Sequence, residues 1–165
     1  MVYPFSHFVY ACGGSNMLKV LTSSVLLLMS VYAYAGADAI QGIWETEDGG
    51  YVYIHPEGDT WVGTAVGSRD GEHRYDNENP DEELRGRRLL GVDVVTGLKY
   101  DGDDRWDDGK VYSPDNGKTY DLSAELKDQD TLKVRGYIGV SLLGRSQTWQ
   151  RIDESAPHVQ KEFLQ

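Results

Sequence analysis

The sequence predicts an all-β domain: eight antiparallel strands wound up and down into a closed barrel, with one short helix or long loop between strands 3 and 4. Three observations carry this. Short β-branched and aromatic runs recur at hairpin spacing, the later ones alternate cleanly between apolar and polar residues, and clusters of Gly, Asp, Asn and Pro separate them. Strands with one apolar face each have few ways to bury it, and closing the sheet also removes its unpaired edges. A two-sheet sandwich is the other arrangement compatible with this pattern.

The first runs are Gly42 to Thr46, Tyr51 to His55 and Thr60 to Val66, divided by Asp48-Gly49-Gly50 and Pro56-Glu57-Gly58-Asp59. They read as a meander, and Gly63 within the third run marks a bulge or a close approach. Between Gly67 and Arg88 the alternation stops. Asn79 as a cap, Pro80 at the first helical position, acids in the first turn and Gly86 beyond Arg85 predict a short capped helix or turn. Connections of this length in compact domains are often functional.

Leu89 to Leu98 is the fourth strand, and an acidic turn over 99–105 leads into the fifth, Trp106 to Tyr112. Pro114-Asp115-Asn116-Gly117 then reverses the chain, since Pro presets one backbone angle and Gly accepts a positive φ. In the sixth strand Tyr120, Leu122, Ala124 and Leu126 share one face. Leu132, Val134, Gly136 and Ile138 do so in the seventh, and Gln147 to Arg151 forms the eighth. A small apolar excursion over 139–144 precedes it, and 155–165 reads as a loose polar tail.

The first 35 residues differ from the rest. They hold no Asp or Glu and one basic residue, Lys19, followed by an apolar run from Val20 to Val31 and the small-residue ending Ala33-Tyr34-Ala35. This is the pattern of a secretory signal peptide cleaved after Ala35, and Met17 is the expected true start, with 1–16 an upstream extension. The barrel is then 36–154, one domain, periplasmic or secreted, with no membrane span after cleavage. Cys12 is the only cysteine, so the exported chain carries no disulfide. Because only Lys19 of the 16 basic residues precedes position 36, the remainder holds 27 acids against 15 bases, a net charge of about −12. That sign argues against nucleic acid as a partner.

Catalytic chemistry finds little to work with. Beyond residue 35 there are three histidines, His55, His73 and His158, and no Gly-x-Ser-x-Gly elbow. Asp101, Asp103, Asp104, Asp107 and Asp108 crowd one turn, but without the Gly and terminal Glu of a calcium loop, so no metal or other cofactor is expected. Arg85, Arg87 and Arg88 form a basic knot that either pairs with neighbouring acids or clasps an anionic head group. The aromatics are the richer signal: Tyr53, Trp61, Trp106, Tyr112 and Tyr120 are the candidate ligand-binding residues, since an eight-stranded barrel can enclose one small molecule or fill itself with side chains. The expected function is binding of a small apolar molecule without catalysis. The alternative is a filled barrel that recognises an envelope protein or cell-wall partner.

Two resemblances accompany this reading. Gly42-x-Trp44 near the start and Arg151 on the last strand resemble the calycins, the superfamily of lipocalins and fatty-acid-binding proteins; the resemblance implies that Arg151 lies over Trp44 and closes one end of the barrel. Longer stretches are similar to the bacterial domain of unknown function 2147, a family of small exported proteins. They are Asp76-Asn77-Glu78-Asn79-Pro80, the run from Leu84 to Gly91, Trp106-x-x-Gly109-Lys110-Val111-Tyr112-x-Pro114-x-x-Gly117-Lys118-Thr119-Tyr120, Leu132-x-Val134-Arg135-Gly136-Tyr137, and Gly144-Arg145-x-x-x-Trp149-x-Arg151. This second resemblance implies a compartment and a fold and brings no reaction with it.

Overall fold

The computed structural model describes residues 36–164. The expected signal peptide, the start at Met17 and Cys12 lie outside the described residues. The strands are β1 (Gly42–Glu45), β2 (Gly50–Glu57), β3 (Thr60–Ser68), β4 (Asp93–Gly102), β5 (Arg105–Ser113), β6 (Lys118–Asp128), β7 (Thr131–Tyr137) and β8 (Arg145–Ile152). Each pairs antiparallel with the next, and β8 pairs with β1 to close the barrel. The up-and-down order therefore holds, and no two-sheet split occurs.

Alternation sets the interior. Val52 and Ile54 of β2, Leu122 and Ala124 of β6, Leu132 and Val134 of β7, and Trp149 of β8 form one buried cluster with Trp44, Trp61, Leu98 and Trp106. Gly63 has no room for a side chain, because a Cβ there would meet Val52 Cγ1 at 2.8 Å and Val95 Cβ at 2.9 Å. The β3–β4 register also slips on either side of it, so both parts of the expectation are met.

Two boundaries differ from the sequence pattern. β4 begins at Asp93, since Leu89 is buried within the long connection and its N–H donates to Arg74 O at 3.0 Å. The β4–β5 turn narrows to Asp103 and Asp104, both at positive φ (48° and 59°); short polar side chains tolerate the left-handed region better than most.

The polar tail is not loose. A second cluster of Ile43, Tyr51 and Val66 on the outer face of β1–β3 packs against Tyr53, Ile152, Val159, Phe163 and Leu164. Gln160 N–H donates to Val66 O at 2.8 Å. Val159, Phe163 and Leu164 are spaced so that a short 3-10 turn at Lys161–Phe163 lays them on the barrel wall, a pattern too brief to register as periodicity.

Candidate functional site

With β1 rising from Gly42, the connections 46–49, 69–92, 114–117 and 138–144 all fall at one end, and those around 58, 103 and 129 at the other. The second end is shut. Arg151 lies over the Trp44 ring at 4.2 Å, and its guanidinium donates to Gln129 O (2.6 Å), Gln41 O (2.6 Å) and Ala39 O (2.7 Å). The Trp44 indole N–H reaches Ile40 O at 2.9 Å, across the 3-10 turn Ala37–Ile40. Gly42 must be glycine here: at φ 139° it sits where a Cβ would overlap the Arg151 guanidinium.

The first end opens into a cavity of about 1240 Å³. Val52, Leu122, Val134 and Trp149 belong both to the buried cluster and to the cavity lining, so they form its floor. Val94, Val111, Tyr112 and Tyr120 add to the wall, and Arg74, Arg88 and Arg145 stand among the rim residues. Trp149 holds its ring through Nε1–H to Gln147 Oε1 at 3.0 Å, while Asn116 donates to the Tyr120 hydroxyl at 3.0 Å.

Of the five aromatics singled out for ligand contact, Tyr112 and Tyr120 line the cavity. Trp61 and Trp106 are packed in the interior cluster and do not line it. Tyr53 points outward, stacked on His55 with ring centroids 5.1 Å apart. Aromatic supply alone could not separate these, because the cavity occupies only one end of the barrel. Trp149 and Arg145 were the missed members. The signal for them is the two-residue spacing of Arg145, Gln147, Trp149 and Arg151 on β8, which puts all four on one face.

The long connection is built around Asp76. Its side chain is fully buried and accepts from Asn79 Nδ2 at 2.6 Å, from Arg87 Nε at 3.0 Å and from the Tyr112 hydroxyl. Burial by itself would raise this carboxyl, but the three donors outweigh it and hold the group below its ordinary 3.8. Tyr112 moves the other way: burial, then Asp76, pushes its hydroxyl up to about 12. Tyr112 thereby ties the connection to β5. The β5–β6 hairpin is fitted against it too, as Gly117, at φ 65°, leaves no space between its Cα and Glu78 O.

The expected helix shrinks to a 3-10 turn, Glu82–Leu84, capped by Asp81 accepting from Glu83 N rather than by Asn79. Asn79 is occupied by Asp76 and by Asp81 N–H. The basic knot is divided as well. Arg85 donates to Asn79 O and pairs with Glu82, Arg87 pairs with Asp76, and only Arg88 stays at the mouth, with Nη2 donating to His73 Nδ1 at 2.8 Å.

The remaining polar clusters lie away from the cavity. His55 Nε2 meets Thr64 Oγ1 at 3.1 Å, and that hydroxyl donates to Asp93 at 2.6 Å, so its proton is directed away from the imidazole. The acidic hairpin is at the closed end, where burial, then Asp101 and Asp108, pushes the Asp107 carboxyl up. Among the described residues no three His, Cys, Asp or Glu side chains group to hold a metal ion, and no helix is long and apolar enough to cross a membrane.

A bacterial family described as an uncharacterized conserved protein, DUF2147, matches residues 42–151. The chain belongs to the DUF2147 family. The stretches that resemble the family acquire places: Asp76 to Pro80 is the buried carboxylate knot, Gly117 to Tyr120 fits the hairpin to it, and Arg151 plugs the barrel. Among solved structures, the chain is similar to protein HP1028 of Helicobacter pylori, described as belonging to the lipocalin family. The identity is 24%, the TM-score is 0.64, and the match covers 69% of this chain and 83% of that one. At that identity the likeness concerns the fold. No curated protein matches.

Proposed function

We propose that the protein is an exported carrier, periplasmic or secreted, that holds a small, mostly apolar molecule in the open half of the barrel and performs no catalysis. The observation that carries this reading is the division of the interior. One end is packed solid around Trp44 and Arg151, and the other opens into a cavity of about 1240 Å³ with an apolar floor and a polar rim, larger than the range of about 300–1,000 Å³ usual for small-molecule sites and therefore roomy enough for one. A bound molecule would rest its apolar part on Val52, Leu122, Val134 and Trp149 and turn any polar end toward Tyr120 and the rim arginines. The lipocalin-like fold of the H. pylori neighbour supports the same reading. A filled barrel acting only through its surface draws no support from an interior this open.

Native mass spectrometry of protein purified from the envelope of its own cells tests the proposal. The expected result is an excess mass that disappears on denaturation; a bare mass both before and after would overturn it. Sequencing the N-terminus of the same sample checks export, with Gly36 as the expected first residue.

A further inference from the structure

The β7–β8 connection carries the most exposed large apolar side chains of the described residues. Ile138, Val140, Leu142 and Leu143 are 67%, 59%, 86% and 80% exposed, whereas the other exposed large apolar residues, Tyr75, Leu84 and Tyr100, do not exceed 46%. Four such residues within six positions form a patch rather than a scatter.

The display is braced from below. Arg135 donates through Nε to Ser141 O (2.6 Å), through Nη2 to Leu142 O (3.0 Å) and through Nη1 to Ser146 Oγ (2.9 Å). Gly144 N–H closes the turn on Ser141 O at 3.1 Å. The Ser141 and Leu142 carbonyls at the tip are thus satisfied from within the protein, which lowers the cost of bringing this backbone to the edge of a medium that offers no hydrogen bonds.

We propose that this loop docks the mouth of the barrel onto a lipid bilayer. Size is the first argument. A stable protein interface needs about 800 Å² and 20–30 residues from each partner, which a convex tip with four apolar side chains does not supply, whereas insertion at a bilayer surface requires no matching shape. Charge is the second. Arg135 and Arg145 flank the tip, and among the described residues neither is ion-paired with a carboxylate. Arg135 is committed to bracing the tip, but in a chain of net charge −11 the Arg145 guanidinium stands ready for a lipid phosphate at the depth where such side chains settle. The acidity of the remainder confines contact to this tip and keeps it reversible. Ile138, Leu143 and Arg145 also line the cavity, so lipid contact would be continuous with the interior. Exchange of an apolar ligand without passage through water rests on the carrier reading; the docking itself does not.

The test is sedimentation of the protein with vesicles of phosphatidylethanolamine containing a minor share of phosphatidylglycerol, after any bound molecule has been stripped. Wild type should co-sediment, and the double variant Leu142→Asp, Leu143→Asp should lose at least about tenfold in partitioning with its melting temperature unchanged. Both carry the same N-terminus, so a leader cannot explain the difference. A Leu142→Trp variant gives an independent reading: its emission should shift to the blue on the same vesicles. Absence of wild-type binding, equal binding by the double variant, an unshifted tryptophan, or an apolar tip that drives self-association instead would each overturn the proposal. Because the protein is stripped, failure here leaves the mass-spectrometric test of the carrier reading untouched.

Discussion

The two ends of this barrel solve opposite problems with the same strands. At the closed end the interior is filled: Trp44 is covered by Arg151, Arg151 is bonded to three carbonyls, and Ile40, Trp61 and Trp106 fill the remaining space, although the buried Trp106 Nε1–H has no hydrogen-bond partner among the described residues. At the open end the inward positions are filled incompletely. Gly136 contributes no side chain, and Arg145 and Tyr120 rise along the same stripes toward solvent. Interiors close-pack unless something prevents it. The width of a closed barrel is fixed by its strand number and stagger, so inward positions held by glycine or by side chains that rise toward the mouth leave space here. Stability should therefore reside at the closed end, loop order in the Asp76 knot, and capacity for a guest in the open half.

The sharpest way to break that division is Arg151→Ala. It removes charge-assisted hydrogen bonds, each typically worth about 1.5–3 kcal/mol, together with the cation–π contact. Some of the freed carbonyls would regain water, so the expected net loss is roughly 3–4 kcal/mol in urea unfolding. Arg151→Lys should lose about half as much, because an ammonium can sit over Trp44 but cannot span three carbonyls in one plane. A loss below about 1 kcal/mol for the alanine variant would mean that the plug is not what holds the barrel shut.

Asp76→Ala comes next in size. It leaves Asn79, Arg87 and the Tyr112 hydroxyl without their shared acceptor, and roughly 2–3 kcal/mol should be lost, with hydrogen exchange rising across 70–90 and little change at the closed end. Acid should do the same reversibly. Since Asp76 has a folded-state pKa below its unfolded value, its contribution is fully present above about pH 4 and fades as pH falls through the folded value. Asp76→Asn should flatten that part of the pH–stability curve. Tyr112→Phe should cost less, about 1–2 kcal/mol, and free the connection from β5 alone.

The closed end was much more legible in the sequence than the open one, and the reason is physical. Gly42, Trp44 and Arg151 are legible through their resemblance to the calycins, and one contact geometry requires all three. Alternation likewise exposed the interior stripes of β6 and β7, where Leu122, Ala124, Leu132 and Val134 fall on the face expected for them. A cavity is different, since its existence depends on which inward positions are left unfilled at one height of the barrel. Trp61, Trp106 and Trp149 look alike as strand residues, and only their height along the barrel decides that the first two are packing and the third a floor. Asn79 read as a cap because the pattern around Pro80 is a cap pattern. Its long-range partner Asp76 outcompeted that local role.

The smallest expected effect on stability is also the most telling about function. Gly136 lines the cavity, and a Cβ placed there would be 3.7 Å from Tyr120 Cβ and 3.8 Å from Val111 Cγ1, ordinary contact distances. Gly136→Leu should therefore project into the open space without forcing neighbours aside, shifting unfolding by less than about 1 kcal/mol. The same change at Gly63, where Val52 and Val95 leave no room, should cost more, about 1–3 kcal/mol. If Gly136→Leu protein purified from its own cells has lost the excess mass that wild type carries, the open half is where the guest sits. If the mass persists, the guest lies nearer the rim, against Arg88 and Arg145, and the two halves of the barrel differ in packing but not in function.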